Sequence, residues 1–160
     1  MQVVGKGQRV PPVRLGRLTG GEIESVALER QLQGRKVLLL GVPGAFTPVC
    51  TTEHVPELVA NADRLKASGI DRIFCIATND PWSIAFWAGQ LDPEGKVEFL
   101  SDGNLDFGRA LGLTTREPEV FLGERSRRFL MVTEDAVIRH LVVEPNSLAL
   151  TCTRPGELLL

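Results

Sequence analysis

The sequence predicts an α/β fold, a mixed central sheet flanked by helices, from three observations. Two continuous apolar runs, KVLLLGV over 36–42 and RIFCIAT over 72–78, read as strands buried on both faces. The stretch between them carries Val55, Leu58, Val59, Ala62 and Leu65 at helical spacing, one face of an amphipathic helix. Two later apolar runs, 128–133 and 137–143, are separated only by Glu134-Asp135-Ala136, which reads as an antiparallel hairpin.

In chain order, residues 36–78 form a βαβ unit with a right-handed crossover. Its helix is expected over 50–68, with Gly69 as the C-terminal cap. A second helix follows Asn79-Asp80-Pro81. Asp80 suits the N-cap and Pro81 the first turn, and the segment carries Ile84, Phe86 and Trp87 before fading near Gln90. A short strand is expected over 97–100, a short helix over 105–111, and then the hairpin. The segment after Pro145 has no clear pattern; a short helix there would be interrupted by Pro155. The sheet is thus parallel in its first part and antiparallel at its end, a thioredoxin-like layout.

The chain has 160 residues, the size of a single domain. Its net charge of −2 with 43% hydrophobic residues places it among ordinary globular proteins rather than disordered chains. That charge gives no footprint for nucleic acid, and no apolar run approaches the length of a membrane span. The N-terminal stretch lacks the apolar core of a secretory signal, so a reducing, cytoplasmic compartment is expected; a removed organellar presequence would leave no trace. Three cysteines, an odd count, do not make a disulfide scaffold, and no Cys-x-x-Cys occurs. Two histidines and three scattered cysteines show no metal-ligand spacing, so no metal and no cofactor are expected.

Chemistry concentrates in the loop Gly41-Val42-Pro43-Gly44-Ala45-Phe46-Thr47-Pro48-Val49-Cys50, which leaves the carboxyl end of a predicted parallel strand, where α/β proteins place ligand sites. Cys50 falls at the start of the following helix, where backbone N–H groups and the macrodipole favour a thiolate. Thr47 is placed to reach the sulfur or an oxygen beside it. Pro43 and Pro48 fix φ and stiffen the loop, and Pro48 could shield the sulfur. By position alone Cys50 could equally be a buried, inert small hydrophobe.

The string Pro-Gly-Ala-Phe-Thr-Pro-x-Cys resembles the active-site signature of the peroxiredoxins, Pro-x-x-x-Thr/Ser-x-x-Cys, which falls on Pro43, Thr47 and Cys50. The longer string is similar to the peroxiredoxin-5 (type II) subgroup. Further likenesses lie in residues 51–56, in Asn79-Asp80-Pro81 with Trp87, in residues 127–132, in Val143-Glu144-Pro145 and in Leu150-Thr151-Cys152. The resemblance implies a thioredoxin-like fold and a thiol-dependent peroxidase acting on hydrogen peroxide and organic hydroperoxides. Cys50 would attack the terminal peroxide oxygen and become a sulfenic acid. Thr47, the Cys50 backbone N–H and Arg128 would align the peroxide and stabilise its charge. Strand alternation allows only one of Arg127 and Arg128 to face the site, and the likeness to the family's Arg-Phe pair selects Arg128. His54, four residues beyond Cys50, is implied as a supporting residue rather than a general base; His140 has no comparable context and reads as structural or exposed. Pro43, Phe46, Phe121 and Trp82 are candidates to wall the pocket or a subunit contact.

A sulfenic acid needs a second thiol. In the subgroup a cysteine in the Leu-Thr-Cys context resolves it, which favours Cys152, expected in an exposed, mobile loop. Cys75, inside an apolar strand, occupies a position that some plant-type members use, and glutathione or glutaredoxin could instead act directly on Cys50. Resolution by either internal thiol would require local opening of the helix start. The reductant would be an external thiol, thioredoxin, glutaredoxin or glutathione, and the resemblance implies a homodimer. A redox sensor using the same thiol is the competing reading, but it would not need Thr47 and Arg128 together.

Overall fold

The computed structural model describes residues 4–159; the first three residues of the N-terminal stretch read above lie outside them. The chain builds β1 (Arg14–Thr19), β2 (Glu22–Ala27), α1 (Leu28–Leu32), β3 (Lys36–Val42), α2 (Val55–Ala67), β4 (Arg72–Ala77) and α3 (Pro81–Leu91). It continues with β5 (Glu98–Ser101), α4 (Asp106–Leu111), β6 (Thr114–Arg116), β7 (Glu124–Ser126), β8 (Phe129–Glu134) and β9 (Val137–Val143). Among the described residues seven strands form one sheet in the order β2-β1-β5-β4-β3-β8-β9, and β6 pairs with β7 separately. Within the large sheet β3, β4 and β5 are parallel, whereas β8 and β9 pair antiparallel at one side and β1 and β2 at the other. This is the mixed α/β, thioredoxin-like architecture expected from the sequence.

Strand β3 is apolar on both faces because helices cover both. Leu38, Leu40 and Val42 pack with Leu58, Ala62, Leu65, Ile84 and Trp87 from α2 and α3. The alternate residues Val37 and Leu39 pack with Leu28, Leu32, Phe107 and Leu111 from α1 and α4. Strand alternation thus turns one continuous apolar run into two core layers. The Asp80 cap behaves as its sequence context demands: its carboxylate accepts the Ser83 N–H at 2.8 Å.

Several elements differ from expectation. Residues 50–54 form a π-helical turn, and the regular α-helix starts only at Val55. Pro56 explains this. In a helix continuous from residue 50 it would stand in the interior, lacking the N–H for an i−4 bond and pressing on the carbonyl there. The chain instead closes a wider ring, with the Val55 N–H bonded to the Cys50 carbonyl, and restarts with Pro56 in the first turn of α2, where no donor is needed. Pro155 likewise opens a 3-10 helix (Pro155–Leu159) rather than interrupting one. Phe86 of α3 points out to solvent. The hairpin of β1 and β2 and the pair of β6 and β7 are additions to the sequence reading.

Candidate active site

The loop from β3 to the π-helical turn is held from beneath by two side chains. The Ala45 N–H donates to Asn79 Oδ1 at 2.7 Å. Arg125 donates from Nη1 to the Thr78 carbonyl at 2.8 Å and the Pro43 carbonyl at 3.4 Å, and from Nε to the Leu122 carbonyl at 2.7 Å. Phe46 takes a left-handed φ of 64°, uncommon for a residue with a bulky side chain. The turn that it makes brings Thr47 back over the loop, where its hydroxyl donates to the Gly44 carbonyl at 2.7 Å rather than to the Cys50 sulfur.

Cys50 is fully buried, and its sulfur accepts an N–H from Arg128 Nη2 at 3.1 Å. Arg128 is itself buried, at 1% exposure. Its Nη1 donates to His54 Nδ1 at 2.8 Å and its Nε to the Ser147 carbonyl at 3.1 Å. Arg127 turns elsewhere and donates to the Glu144 carbonyl at 2.8 Å. A guanidinium has donors only. His54 Nδ1 must therefore be the acceptor, which leaves the ring proton on Nε2 to be donated to the Thr153 carbonyl at 2.8 Å. Burial pushes the imidazole down to about 4, helped by the positive charge of Arg128 and opposed by the Thr153 hydrogen bond. The ring is neutral wherever the protein works near neutral pH, and it is placed to orient Arg128, not to take a proton from Cys50.

Beside the Cys50 loop lies a pocket of about 370 Å³ whose walls include Pro43, Phe46, Thr47, Pro48, Leu148 and Arg128; the buried Cys50 does not line it, and Arg128 joins the two. Arg128 thus faces the sulfur and the pocket at once. Phe121, at 93% exposure, is not among the residues that wall it, nor is Trp82. His140 is exposed. Beside the site, the buried Trp87 donates its indole N–H to Thr51 Oγ1 at 3.1 Å and packs its ring 6.3 Å from that of Phe46.

All three cysteines are free. Cys75 is buried in β4, and burial pushes its thiol well above the ordinary value. Cys152 is half-buried, not loose: its backbone N–H donates to Glu144 Oε2 at 2.9 Å and its thiol rests on the Val143 carbonyl at 3.7 Å. The expected mobile loop is therefore a pinned one. Glu144 accepts hydrogen bonds from Thr151, Cys152 and Thr153. Burial opposes the Glu144 charge, but these bonds outweigh it and hold its carboxyl down at about 2. Burial, with the Glu144 charge beside it, pushes the Cys152 thiol up.

Sequence reasoning missed Asn79, Arg125, Glu144, Ser147 and Thr153 as supports of this site. Two of them carried a signal: Glu144 ends an apolar run just before a proline, and Asn79 opens the Asn79-Asp80-Pro81 string noted in the sequence. Among the described residues no group of three or more His, Cys, Asp or Glu side chains is arranged to hold a metal, and no helix is long and apolar enough to cross a membrane.

Comparison with known proteins places this geometry in context. The Redoxin family model matches residues 5–152. The chain is 39% identical over 136 residues to peroxiredoxin-2C of Oryza sativa subsp. japonica, covering 84% of each chain. It is 38% identical over 145 residues to the chloroplastic peroxiredoxin-2E of Arabidopsis thaliana, covering 88% of this chain and 62% of that one. Among solved structures, reduced Prx3 from Vibrio vulnificus in complex with H2O2 superposes with a TM-score of 0.90 at 33% identity, over 98% of this chain and 94% of that one.

Proposed function

The chain belongs to the redoxin family and is a peroxiredoxin, a thiol-dependent peroxidase, and from that premise we propose that Cys50 is the attacking thiolate, with Arg128, Thr47 and Pro43 shaping its peroxide site. The observation that carries this reading is the Arg128 guanidinium, buried between the sulfur and the pocket wall. A buried guanidinium whose acceptors are a sulfur, an imidazole nitrogen and a carbonyl is best complemented by negative charge on that sulfur. Thr47 has committed its hydroxyl proton to the Gly44 carbonyl, so its lone pairs face outward as acceptors for the O–H of a bound peroxide. Pro43 and Phe46 supply apolar wall and restrict water.

In the first step the sulfur lone pair forms an S–O bond to the terminal peroxide oxygen, and the O–O bond breaks toward the distal oxygen. Sulfur is oxidised by two electrons, and the departing hydroxide or alkoxide is stabilised by the Arg128 N–H groups until it takes a proton. In the second step Cys152 attacks the sulfenic sulfur; an S–S bond forms, the S–O bond breaks and water leaves. Cys75 is enclosed within β4 whereas Cys152 is only half-buried, which argues against Cys75 in this role. An external dithiol or glutathione then returns both sulfurs to thiols. Trp87, one hydrogen bond from Thr51, is a natural reporter of the cycle. Stopped-flow fluorescence with stoichiometric peroxide is expected to show a fast transient that Cys50→Ser abolishes and Cys152→Ser retains. Mass spectrometry after thiol blocking is expected to find a Cys50–Cys152 bond. A transient no faster than the reaction of free cysteine would sink the site reading, and a Cys50–Cys75 bond would sink the choice of Cys152. A steady-state assay with thioredoxin, glutaredoxin and glutathione in turn identifies the donor.

The partner at the mouth of the pocket is a second copy of the chain. Phe46, Val120, Phe121 and Leu148 all stand exposed around this opening or beside it, and large apolar side chains gathered on one surface mark an interaction site. Sedimentation is expected to give a dimer that Phe121→Asp dissociates; a monomer at micromolar concentration would refute it. Three unpaired thiols fit a reducing compartment such as the cytoplasm, and compartment-resolved fractionation of the tagged chain tests that.

A further inference from the structure

Glu144 takes no part in the contacts around the sulfur, yet its side chain is the most heavily hydrogen-bonded carboxylate near the site. Its Oε2 accepts the backbone N–H groups of Thr151 at 2.8 Å, Cys152 at 2.9 Å and Thr153 at 3.0 Å, and the Thr153 hydroxyl at 2.8 Å. Its Oε1 accepts the Thr151 hydroxyl at 2.5 Å. The residue is fully buried. Burying a carboxylate is costly unless it is satisfied in this way, so the charge is held there by the segment it grips.

These bonds close a ring through the active site. The Glu144 N–H donates to the Arg128 carbonyl at 2.9 Å. The Glu144 carboxylate holds Thr153, the Thr153 carbonyl accepts from His54, and His54 accepts from the Arg128 guanidinium. Arg128 is therefore clamped at its backbone and at the tip of its side chain by the same loop that carries Cys152. The ring has a consequence for the reaction order. While it is closed, Arg128 is aimed at Cys50, and the thiol of Cys152 rests against the Val143 carbonyl and not against Cys50. Residues 145–154 have no regular secondary structure, and Thr151 is exposed, so polar bonds rather than apolar packing retain this stretch and can be released locally.

We propose that Glu144 is a positioning residue of the peroxidase reaction: it clasps residues 151–153 against His54, keeping Arg128 aimed at Cys50 while peroxide is reduced, and release of that clasp is what frees Cys152 to form the disulfide. The second half rests on the reading of Cys152 as the resolving thiol; the first half does not. The disulfide step balances as given above, with the Cys152 proton leaving on the water that carries off the sulfenic oxygen.

The test separates the two steps. Glu144→Ala and Glu144→Gln are made in the full chain and again with Cys152→Ser, which confines the reaction to sulfenic acid formation. The fluorescence transient then measures the peroxide step, and timed trapping of the sulfenic acid with a dione reagent measures resolution. Glu144→Ala is expected to slow the peroxide step by more than about tenfold while speeding resolution by a similar factor. Glu144→Gln, whose amide oxygen keeps the backbone acceptors and whose NH2 can donate to the Thr151 hydroxyl, is expected to recover most of both rates. Opposite signs for the two steps are required. Unchanged rates, or slowing of both steps alike as general loosening would produce, overturn the proposal. A Cys50–Cys75 bond in the unmodified chain refutes the Cys152 reading instead, and the peroxide step in the Cys152→Ser background then decides the Glu144 positioning role by itself.

Discussion

Arg128 donates to three acceptors at once, the Cys50 sulfur, His54 Nδ1 and the Ser147 carbonyl. A planar guanidinium can do this because its N–H groups point outward in a fixed fan; an ammonium on a flexible stem cannot hold the same three directions. Arg128→Lys keeps the charge and loses the geometry. It is expected to lower the rate of the peroxide step by about 10²–10³-fold, the usual cost of one misplaced preorganised donor, as read by single-turnover fluorescence. A loss below threefold would mean that charge alone suffices. Cys50, Thr47 and Pro43 were legible in the sequence because they lie together in one loop with a specific spacing. The partners that aim Arg128 were not. Ser147 is 19 positions away from it and Thr153 is 99 positions from His54, and each contributes a backbone carbonyl, which any residue type would supply. Arg125 was hidden among neighbouring arginines, and only its three carbonyl contacts separate it from a solvated surface charge.

At the level of elements, the strands that could be read were those buried on both faces, β3 and β4, and the helix that could be read was α2, with its apolar stripe. The first hairpin could not be read from its apolar pattern because β2 is an edge strand with its first four residues exposed; its mark was the turn, Gly20 and Gly21, both at positive φ. The pair of β6 and β7 has three residues per strand and a polar sequence, too little for any period. The π-helical turn was legible in principle through Pro56, which cannot sit inside the helix that the spacing suggested. One element-level constraint is testable at Gly41. It pairs with Phe129 across β3 and β8, and a Cβ there would overlap the Phe129 ring. Phe129 is itself buried among Phe107 and its neighbours and has little room to retreat. Gly41→Ala is expected to cost about 1–3 kcal/mol as overpacking, seen as a lower urea midpoint. A midpoint equal to that of the parent would show that the ring can swing clear.

Across the whole molecule, two buried titrating groups, His54 and Glu144, link the active site to global stability. His54 has an ordinary value of 6.5 and is pushed down to about 4 in the folded chain. Between those values the unfolded chain binds a proton that the folded chain does not. Stability therefore rises with pH across this window and is lost as pH falls through it, by about 3 kcal/mol for a shift of this size. Glu144, held down at about 2 from 4.5, acts in the same direction over a lower window: its contribution is complete above the unfolded value and disappears as pH falls toward 2. Acidification is thus expected to act in sequence, first on the ring nitrogen that faces Arg128 and then on the carboxylate that grips the Cys152 loop. Protonating His54 Nδ1 would set a donor against the Arg128 donors, so the peroxide site is expected to fail before the fold does. Urea unfolding at about pH 7, 5.5 and 4.5 measures the first window. His54→Gln, which can still offer an acceptor to Arg128 but does not titrate, is expected to flatten the slope between pH 7 and 4.5 relative to the parent, while the loss that Glu144 gives as pH falls from 4.5 toward 2 persists. Parallel slopes in the two proteins would assign the acid sensitivity to groups other than His54.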